Sequence, residues 1–271
     1  MEINENTLPH DGQKYKRELM DLIRRIDFVL SDVGIGYFGV FGTCLGAVRD
    51  GGIIPWDDDI DIAVRREDYR RAIEVLSSSD ENLFVYNASF RSARIFNRIA
   101  QDDTIERRRA YIDLYVIDYA PKSTLHFYWN VLWYVGLERI IGRRKGVVGR
   151  SHPILYAVAD VLALPFRVLP DVYINKLACW FYVYTAKSSC VKLSYDANRK
   201  RYPNNFFLVS KRVKFNDMAI AVPEAYDEYL TMCYGDWRTP PKPEDRVSHA
   251  FDGTGTIWAV KCPAYEERAA R

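Results

Sequence analysis

Four aspartates fall within five positions, at Asp57, Asp58, Asp59 and Asp61, and their spacing decides what they can do. Ile60, Ile62 and Val64 alternate with Asp59, Asp61 and Ala63, the period of a half-buried strand with one face in the core and the other acidic. On such a strand Asp59 and Asp61 project from the same face with Cα atoms roughly 6–7 Å apart, and like carboxylates at that distance repel unless a cation sits between them. Hard oxygen ligands suit Mg²⁺ or Mn²⁺, ions that keep several waters and share their remaining positions with substrate phosphates. A solvated acidic turn would have no reason to carry Ile60 and Ile62 in alternation, and the preceding Pro55-Trp56 is costly to expose. Asp113, between Ile112 and Leu114 on a second predicted strand, adds a third carboxylate if the two strands adjoin.

A phosphate partner for such an ion has a place upstream. Gly42-Thr43 opens a predicted helical turn through Cys44–Arg49, with Thr43 as its cap, and offers backbone N–H groups to an anion. Arg49 at the end of that turn can donate in bidentate fashion. Two other patterns fail on context. Gly34-Ile-Gly36-Tyr-Phe-Gly39 satisfies a dinucleotide fingerprint in letters, but it follows a helix and leads into a strand, the reverse of what that fingerprint needs. Asp57, Asp59 and Asp61 imitate a calcium loop whose sixth position should be Gly and is Ile62.

The elements that must position these groups read as α+β over the first ~120 residues. Leu19, Leu22, Ile23, Ile26, Val29 and Leu30 recur at helical spacing between Lys14 and Leu30, opposite Lys16, Arg17, Arg24 and Arg25. Strands are expected at Tyr37–Phe41, Leu83–Tyr86, Arg94–Ile99 and Ile112–Val116, and a helix at Glu67–Leu76. From Ser123 to Lys187 the spacing is helical, broken near Gly142–Gly149 and at Pro165 and Pro170, which predicts about three helices. A hairpin at Lys211–Phe215 and Met218–Val222 and a helix at Pro223–Cys233 closed by Gly235 follow. The expected division is a catalytic core over 1–122, a helical segment over 123–190 that faces membrane or acceptor, and a part over 191–271 completing the catalytic unit.

Composition removes other classes. With 271 residues, 48% hydrophobic and 27% charged, the chain is globular, and a net charge of +2 is too small for the basic face of a nucleic-acid binder. Five cysteines without a CxxC pair, and an N-terminus lacking a basic-then-apolar pattern, predict a reducing, cytoplasmic location. The most apolar stretches are interrupted by Asn130, Glu138, Arg139 and Asp160, short of a membrane span. The basic runs Arg107–Arg109, Arg143–Lys145 and Arg199–Arg201 read first as solvated faces; the alternative is that, with the aromatic middle helices, they hold the protein peripherally against anionic lipid.

The run Phe41-Gly42-Thr43-Cys44-Leu45-Gly46-Ala47-Val48-Arg49 followed by Ile53-Ile54-Pro55-Trp56-Asp57-Asp58-Asp59-Ile60-Asp61-Ile62 resembles the signature of the LicD family of nucleotidyltransferase-fold enzymes. The resemblance continues at Asn97-Arg98, Thr104, Tyr111–Leu114, Tyr234-Gly235-Asp236, Pro240-Pro241 and His249; the helical middle carries no matching motif. It implies a polymerase-β-like core with a mixed sheet, a Gly-Thr turn on donor phosphates, and Asp59, Asp61 and Asp113 holding the metal. It also implies transfer of a phospho-alcohol, typically phosphocholine from CDP-choline, to a hydroxyl of a cell-surface glycan or its lipid-linked precursor, with CMP leaving. Arg98 and His249 enter as motif-matched donor contacts, and Asp113 as the general-base candidate. Gly-Thr in place of Gly-Ser, and Asp113-Leu-Tyr-Val in place of Asp-Ile-Phe-Pro, depart from the family pattern without removing a ligand.

Trp56, Tyr115, Tyr234 and Trp237 lie beside the motifs and suit a quaternary ammonium, which aromatic faces hold and hydrogen bonds cannot; that favours choline over glycerol or ribitol. A glycosyltransferase using Asp-x-Asp on a nucleotide-sugar, and an inactive binding module, are the competing readings. The first lacks its parallel βαβ run before Asp59, and the retained aspartates speak against the second.

Overall fold

The computed structural model describes residues 10–57, 59–86, 91–97, 110–144, 153–193 and 200–242. The chain is mixed α+β and divides into two compact units, one formed by residues 1–116 with 205–271 and the other by residues 117–204.

The first unit opens with helix α1 (His10–Asp32), about three turns longer than its apolar stripe from Leu19 to Leu30. Leu19, Leu22, Ile23, Ile26 and Leu30 are fully buried, each contributing about 1.5–3 kcal/mol of burial. Strand β1 (Phe38–Gly39) is shorter than expected, because the chain turns at Phe41 into helix α2 (Phe41–Leu45) and a π-helical turn (Gly46–Asp50). Strand β2 (Ile60–Arg65), helix α3 (Arg66–Ser78) and strands β3 (Leu83–Tyr86), β4 (Ser92–Asn97) and β5 (Tyr111–Ala120) complete the sheet, in the order β1-β2-β5-β4-β3. Helix α3 packs on α1 and on β2 and β3.

After residue 205 the chain returns with the hairpin β8 (Ser210–Phe215) and β9 (Met218–Pro223), the latter packed on β1, and helix α7 (Tyr226–Tyr234), closed by Gly235 at φ 73°. Phe38, Phe207 and Tyr229 form an edge-on aromatic stack, centroids 5.5 and 5.3 Å apart, that ties the late segment to β1.

The second unit holds helices α4 (Thr124–Arg144), α5 (Pro153–Ala163) and α6 (Asp171–Tyr182), with a 3₁₀ turn (Leu164–Val168) between the last two. Strands β6 (Cys190–Leu193) and β7 (Tyr202–Pro203), which periodicity does not reveal, pair antiparallel with the end of β5 and with each other. Gly136 lets α4 and α5 touch: a Cβ there would lie 2.5 Å from the Ala159 carbonyl. Buried Lys192 is opposite buried Asp118 in the β5–β6 register, and its ammonium lies 3.5 Å from the Tyr182 ring centroid.

Two of the basic runs are structural ties rather than free charge. Arg144 bonds Asp171 and the carbonyls of Arg167 and Leu169, and Arg201 bonds the carbonyls of Pro121 and Lys122 and the Thr124 hydroxyl. Arg107–Arg109 lie outside the described residues, as do Lys145 and Arg199. Among the described residues no helix is long and apolar enough to cross a membrane. Cys44, Cys179, Cys190 and Cys233 are thiols.

Candidate active site

The acidic strand does not show its aspartates to solvent. All of Ile60–Val64 is buried, so the face expected to be open is covered as well: β2 lies between β1 and β5, and α2 packs on it. Asp61 is 9% exposed, and its Oδ1 is buried without a hydrogen-bond partner. Burial pushes its carboxyl well above the ordinary carboxylate range. The charges of Asp59, Asp113 and Asp57 add to this, and a hydrogen bond from Tyr115 opposes it.

Thr43 faces this carboxylate from α2, but not as a cap. The residue before the helix is Val40, and the Thr43 hydroxyl, in a residue 4% exposed, accepts the Asp61 N–H at 2.7 Å. Its proton remains to be donated elsewhere. Gly42 lies close under the acidic segment: a Cβ there would stand 2.5 Å from Asp57 Oδ2, and that carboxylate would have to swing aside. Phe41 enters the turn at φ 48°, in the left-handed region that a bulky residue rarely adopts. Its N–H bonds the Tyr229 hydroxyl at 3.1 Å and its ring meets Tyr115 edge-on at 5.9 Å.

Asp113 lies on β5, the strand beside β2. It is directly opposite Arg94 in the β4–β5 register; Arg94 Nε donates to Oδ1 at 3.0 Å and the Tyr115 hydroxyl to Oδ2 at 3.3 Å. Burial raises the Asp113 carboxyl above its ordinary value, and Arg94 and Tyr115 counter the rise. The Arg94 guanidinium also lies over the Tyr111 ring, 4.8 Å from its centroid. Sequence reading missed Arg94; laying the two predicted strands antiparallel would have shown a cation across from the aspartate. Arg94→Ala is expected to lower turnover about tenfold or more and to destabilise the fold by about 3 kcal/mol, because it strands a buried carboxylate, and Arg94→Lys should recover part of both. Wild-type stability in Arg94→Ala by denaturant titration would remove this role.

Arg49 closes its fork on a neighbour, with Nε and Nη2 donating to the two Asp50 oxygens at 2.9 and 2.8 Å, and its guanidinium lies over Trp56, 5.7 Å from the ring centroid. Trp56 and Asp59 are half-buried in the segment before β2. That segment is clamped from two sides. Lys16 donates to the carbonyls of Ile54 and Pro55 at 3.2 and 2.7 Å, and Asn216, at the tip of the β8–β9 hairpin, takes the Ile53 N–H at 2.9 Å and gives its own N–H to the Gly51 carbonyl at 2.7 Å. Arg98, His249 and Asp58 lie outside the described residues.

The oxygen donors gathered here, with the orphaned Asp61 Oδ1 among them, match a hard divalent cation. Among the described residues no three His, Cys, Asp or Glu side chains stand closely enough to hold an ion by themselves. Burial pushes the Cys44 thiol up, leaving it a neutral packing group.

An α+β chain whose crowded carboxylates lie against a glycine-threonine turn is thus defined. Residues 34–138, which contain every group from Gly42 to Tyr115, match the family described as LicD/FKTN/FKRP, nucleotidyltransferase domain. Lipopolysaccharide cholinephosphotransferase LicD of Haemophilus influenzae is 25% identical over 227 residues, covering 77% of this chain and 84% of that protein. Ribitol 5-phosphate transferase FKRP of Homo sapiens is 39% identical over 75 residues, 26% of this chain and 15% of the relative. Ribitol-5-phosphate transferase FKTN of Mus musculus is 32% identical over 68 residues, 25% of this chain and 14% of the relative.

Proposed function

We propose that the protein transfers phosphocholine from CDP-choline to a hydroxyl of a cell-surface glycan or its lipid-linked precursor, releasing CMP on the cytoplasmic side of the membrane. The observation that carries the reading is the buried, unpartnered oxygen of Asp61 amid the charges of Asp57, Asp59 and Asp113, beside the Gly42-Thr43 turn. The named relatives support transfer of a phospho-alcohol, and the one that matches over 77% of the chain is a cholinephosphotransferase. A polymerase-β-like core is the fold this reading calls for.

On this reading Asp59 and Asp61, with Asp113 nearby, hold Mg²⁺ or Mn²⁺, which when bound supplies positive charge to the donor diphosphate. The Thr43 hydroxyl, its oxygen fixed by the Asp61 N–H, turns its proton to a phosphate oxygen, and the Gly42-Thr43 backbone lies along the same group. Asp113 receives the proton of the acceptor hydroxyl as that oxygen bonds to the choline-bearing phosphorus and the bond to the CMP oxygen breaks. Arg94 and Tyr115 orient Asp113 and oppose the rise that burial imposes on its carboxyl. Arg49 holds Trp56 as one wall of the head-group site, with Tyr115 and Tyr234 as further aromatic surface, and Arg98 and His249 are assigned to the donor from the family pattern.

Incubation with a divalent ion, a permissive acceptor and CDP-choline, CDP-glycerol or CDP-ribitol in turn tests this by CMP release. Fastest release is expected from CDP-choline, and none without the ion. A preference for a polyol donor overturns choline and leaves the phospho-alcohol transferase standing. UDP and a glycoside from a nucleotide-sugar would replace the reaction altogether.

A further inference from the structure

We propose that the outer face of the helical unit, formed by α4, α6 and the 3₁₀ turn between α5 and α6, docks on an anionic phospholipid bilayer at headgroup depth. The face is one continuous aromatic surface. On α6, Val172, Lys176 and Trp180 recur every fourth residue with Tyr173 beside them, all exposed, while Ile174, Ala178 and Tyr182 fill the buried stripe opposite. On α4, Leu125, Tyr128 and Trp129 are exposed by 82, 53 and 51%. The two helices are joined ring to ring: Trp129 meets Trp133 edge-on at 5.9 Å, Trp133 stacks on Phe181 at 5.3 Å, and Phe181 meets Trp180 at 4.8 Å. Phe166 of the turn joins Trp133 at 5.8 Å, bringing exposed Leu164 and Val168 alongside. A contiguous exposed apolar patch of this kind marks an interaction surface.

Charge selects the partner. Glu138, Asp160 and Asp171 are the acidic residues between 122 and 190, and none is fully exposed; Arg139 holds Asp160 at 3.0 Å through both Nε and Nη2, and Arg144 holds Asp171. Exposed cations remain at Lys122, Arg167, Lys176 and Lys187. Tryptophan and tyrosine beside lysine and arginine is the composition of the membrane–water interface, and an anionic leaflet attracts each added cation. A symmetric pair of copies would set this basic face against the same face of the partner, with no fully exposed acidic side chain of the segment to meet Lys176 and Arg167, which disfavours self-association through it. The anchor is therefore the aromatic face rather than the basic runs at Arg144 and Arg201, which are spent internally. The inference extends the lipid-linked acceptor of the proposed reaction, but stands on this face alone.

Co-sedimentation of the full chain with vesicles of phosphatidylcholine and phosphatidylglycerol, without donor or acceptor, tests it. Binding is expected to the mixed vesicles and to be at least about tenfold weaker to phosphatidylcholine alone. Trp129→Glu with Trp180→Glu should weaken it at least about tenfold again, and Lys176→Glu about fivefold with the aromatic face intact. CMP release with a water-soluble acceptor should be the same in all these variants. If CMP release fails while vesicle binding holds, the transferase reading falls and the surface remains. Full recovery of the wild type in the supernatant at low salt, equal binding by the doubly substituted chain, or a dimer that the substitutions disperse in a protein that ignores vesicles would each overturn the proposal.

Discussion

Asp61→Asn is expected to cut turnover roughly a thousandfold or more and, in the same protein, to raise the melting temperature measured without divalent ions. Both effects come from one feature, a carboxylate buried among Asp59, Asp113 and Asp57 with one oxygen unpartnered. A group whose carboxyl is pushed up in the folded state is most comfortable protonated. The fold therefore loses stability as pH rises from the ordinary Asp value through the raised one, and at neutral pH the charge is a cost that a cation would offset. Asparagine keeps the shape and removes the charge, so metal-free stability should increase by about 1–3 kcal/mol, at about 2–4 °C per kcal/mol, and the loss of stability with rising pH should flatten. Turnover falls because half of a cation-holding pair is gone. Asp59→Asn should match the loss of activity, while Asp58→Asn should be much milder. Activity of Asp61→Asn within tenfold of the parent, with unchanged circular dichroism, would sink the assignment; an unchanged melting temperature would remove the electrostatic half of it.

What could be read from sequence, and what could not, divides along a physical line. Helix α1, the β8–β9 hairpin and the three-helix middle were legible because each is announced by local periodicity and by Gly or Pro punctuation. The alternation at Ile60–Val64 correctly marked a strand and misjudged its second face. A period of two says that a strand has two sides, but not that a helix will cover the acidic one, and only tertiary packing put Asp61 in the interior. Thr43 fails as a cap for the same reason: its hydroxyl serves the Asp61 N–H, eighteen residues away, which no local rule foresees. Arg94 and Tyr229 act through partners across the sheet and from the far end of the chain, and Arg144 and Arg201, which look like solvated charge, serve as ties for exposed carbonyls. The acidic and Gly-Thr residue types on which the proposed chemistry rests were visible, whereas the groups packed around them were set by register and packing.

Gly46→Ala should cost both stability and turnover, while Gly36→Ala should cost neither, a contrast that isolates close approach from the mere presence of glycine. A Cβ on Gly46 would stand 2.4 Å from the Gly52 carbonyl oxygen, 3.0 Å from Ile54 Cγ1 and 3.2 Å from the Ile54 nitrogen, two of which are backbone atoms. The Gly52 N–H already bonds the Gly46 carbonyl at 3.1 Å, and Gly52 is itself so close to Asn216 that a Cβ there would lie 2.4 Å from its Oδ1. With Lys16 and Asn216 holding Ile53, Ile54 and Pro55, the segment cannot yield without moving Trp56, Asp57 and Asp59 with it. Overpacking of that kind costs about 1–3 kcal/mol, and a shift of about 1 Å in a catalytic segment costs about a hundredfold in rate. Gly36 has no atom within 4 Å of its missing Cβ and no left-handed backbone, so alanine fits there. Gly51 is intermediate: open space surrounds it, but φ is +71°, and alanine should cost about 1–2 kcal/mol with turnover little changed. Denaturant midpoints and CMP release on the three variants give the comparison. A Gly36→Ala protein as damaged as Gly46→Ala would mean that the Gly34–Gly39 stretch does more than carry the chain from α1 to β1.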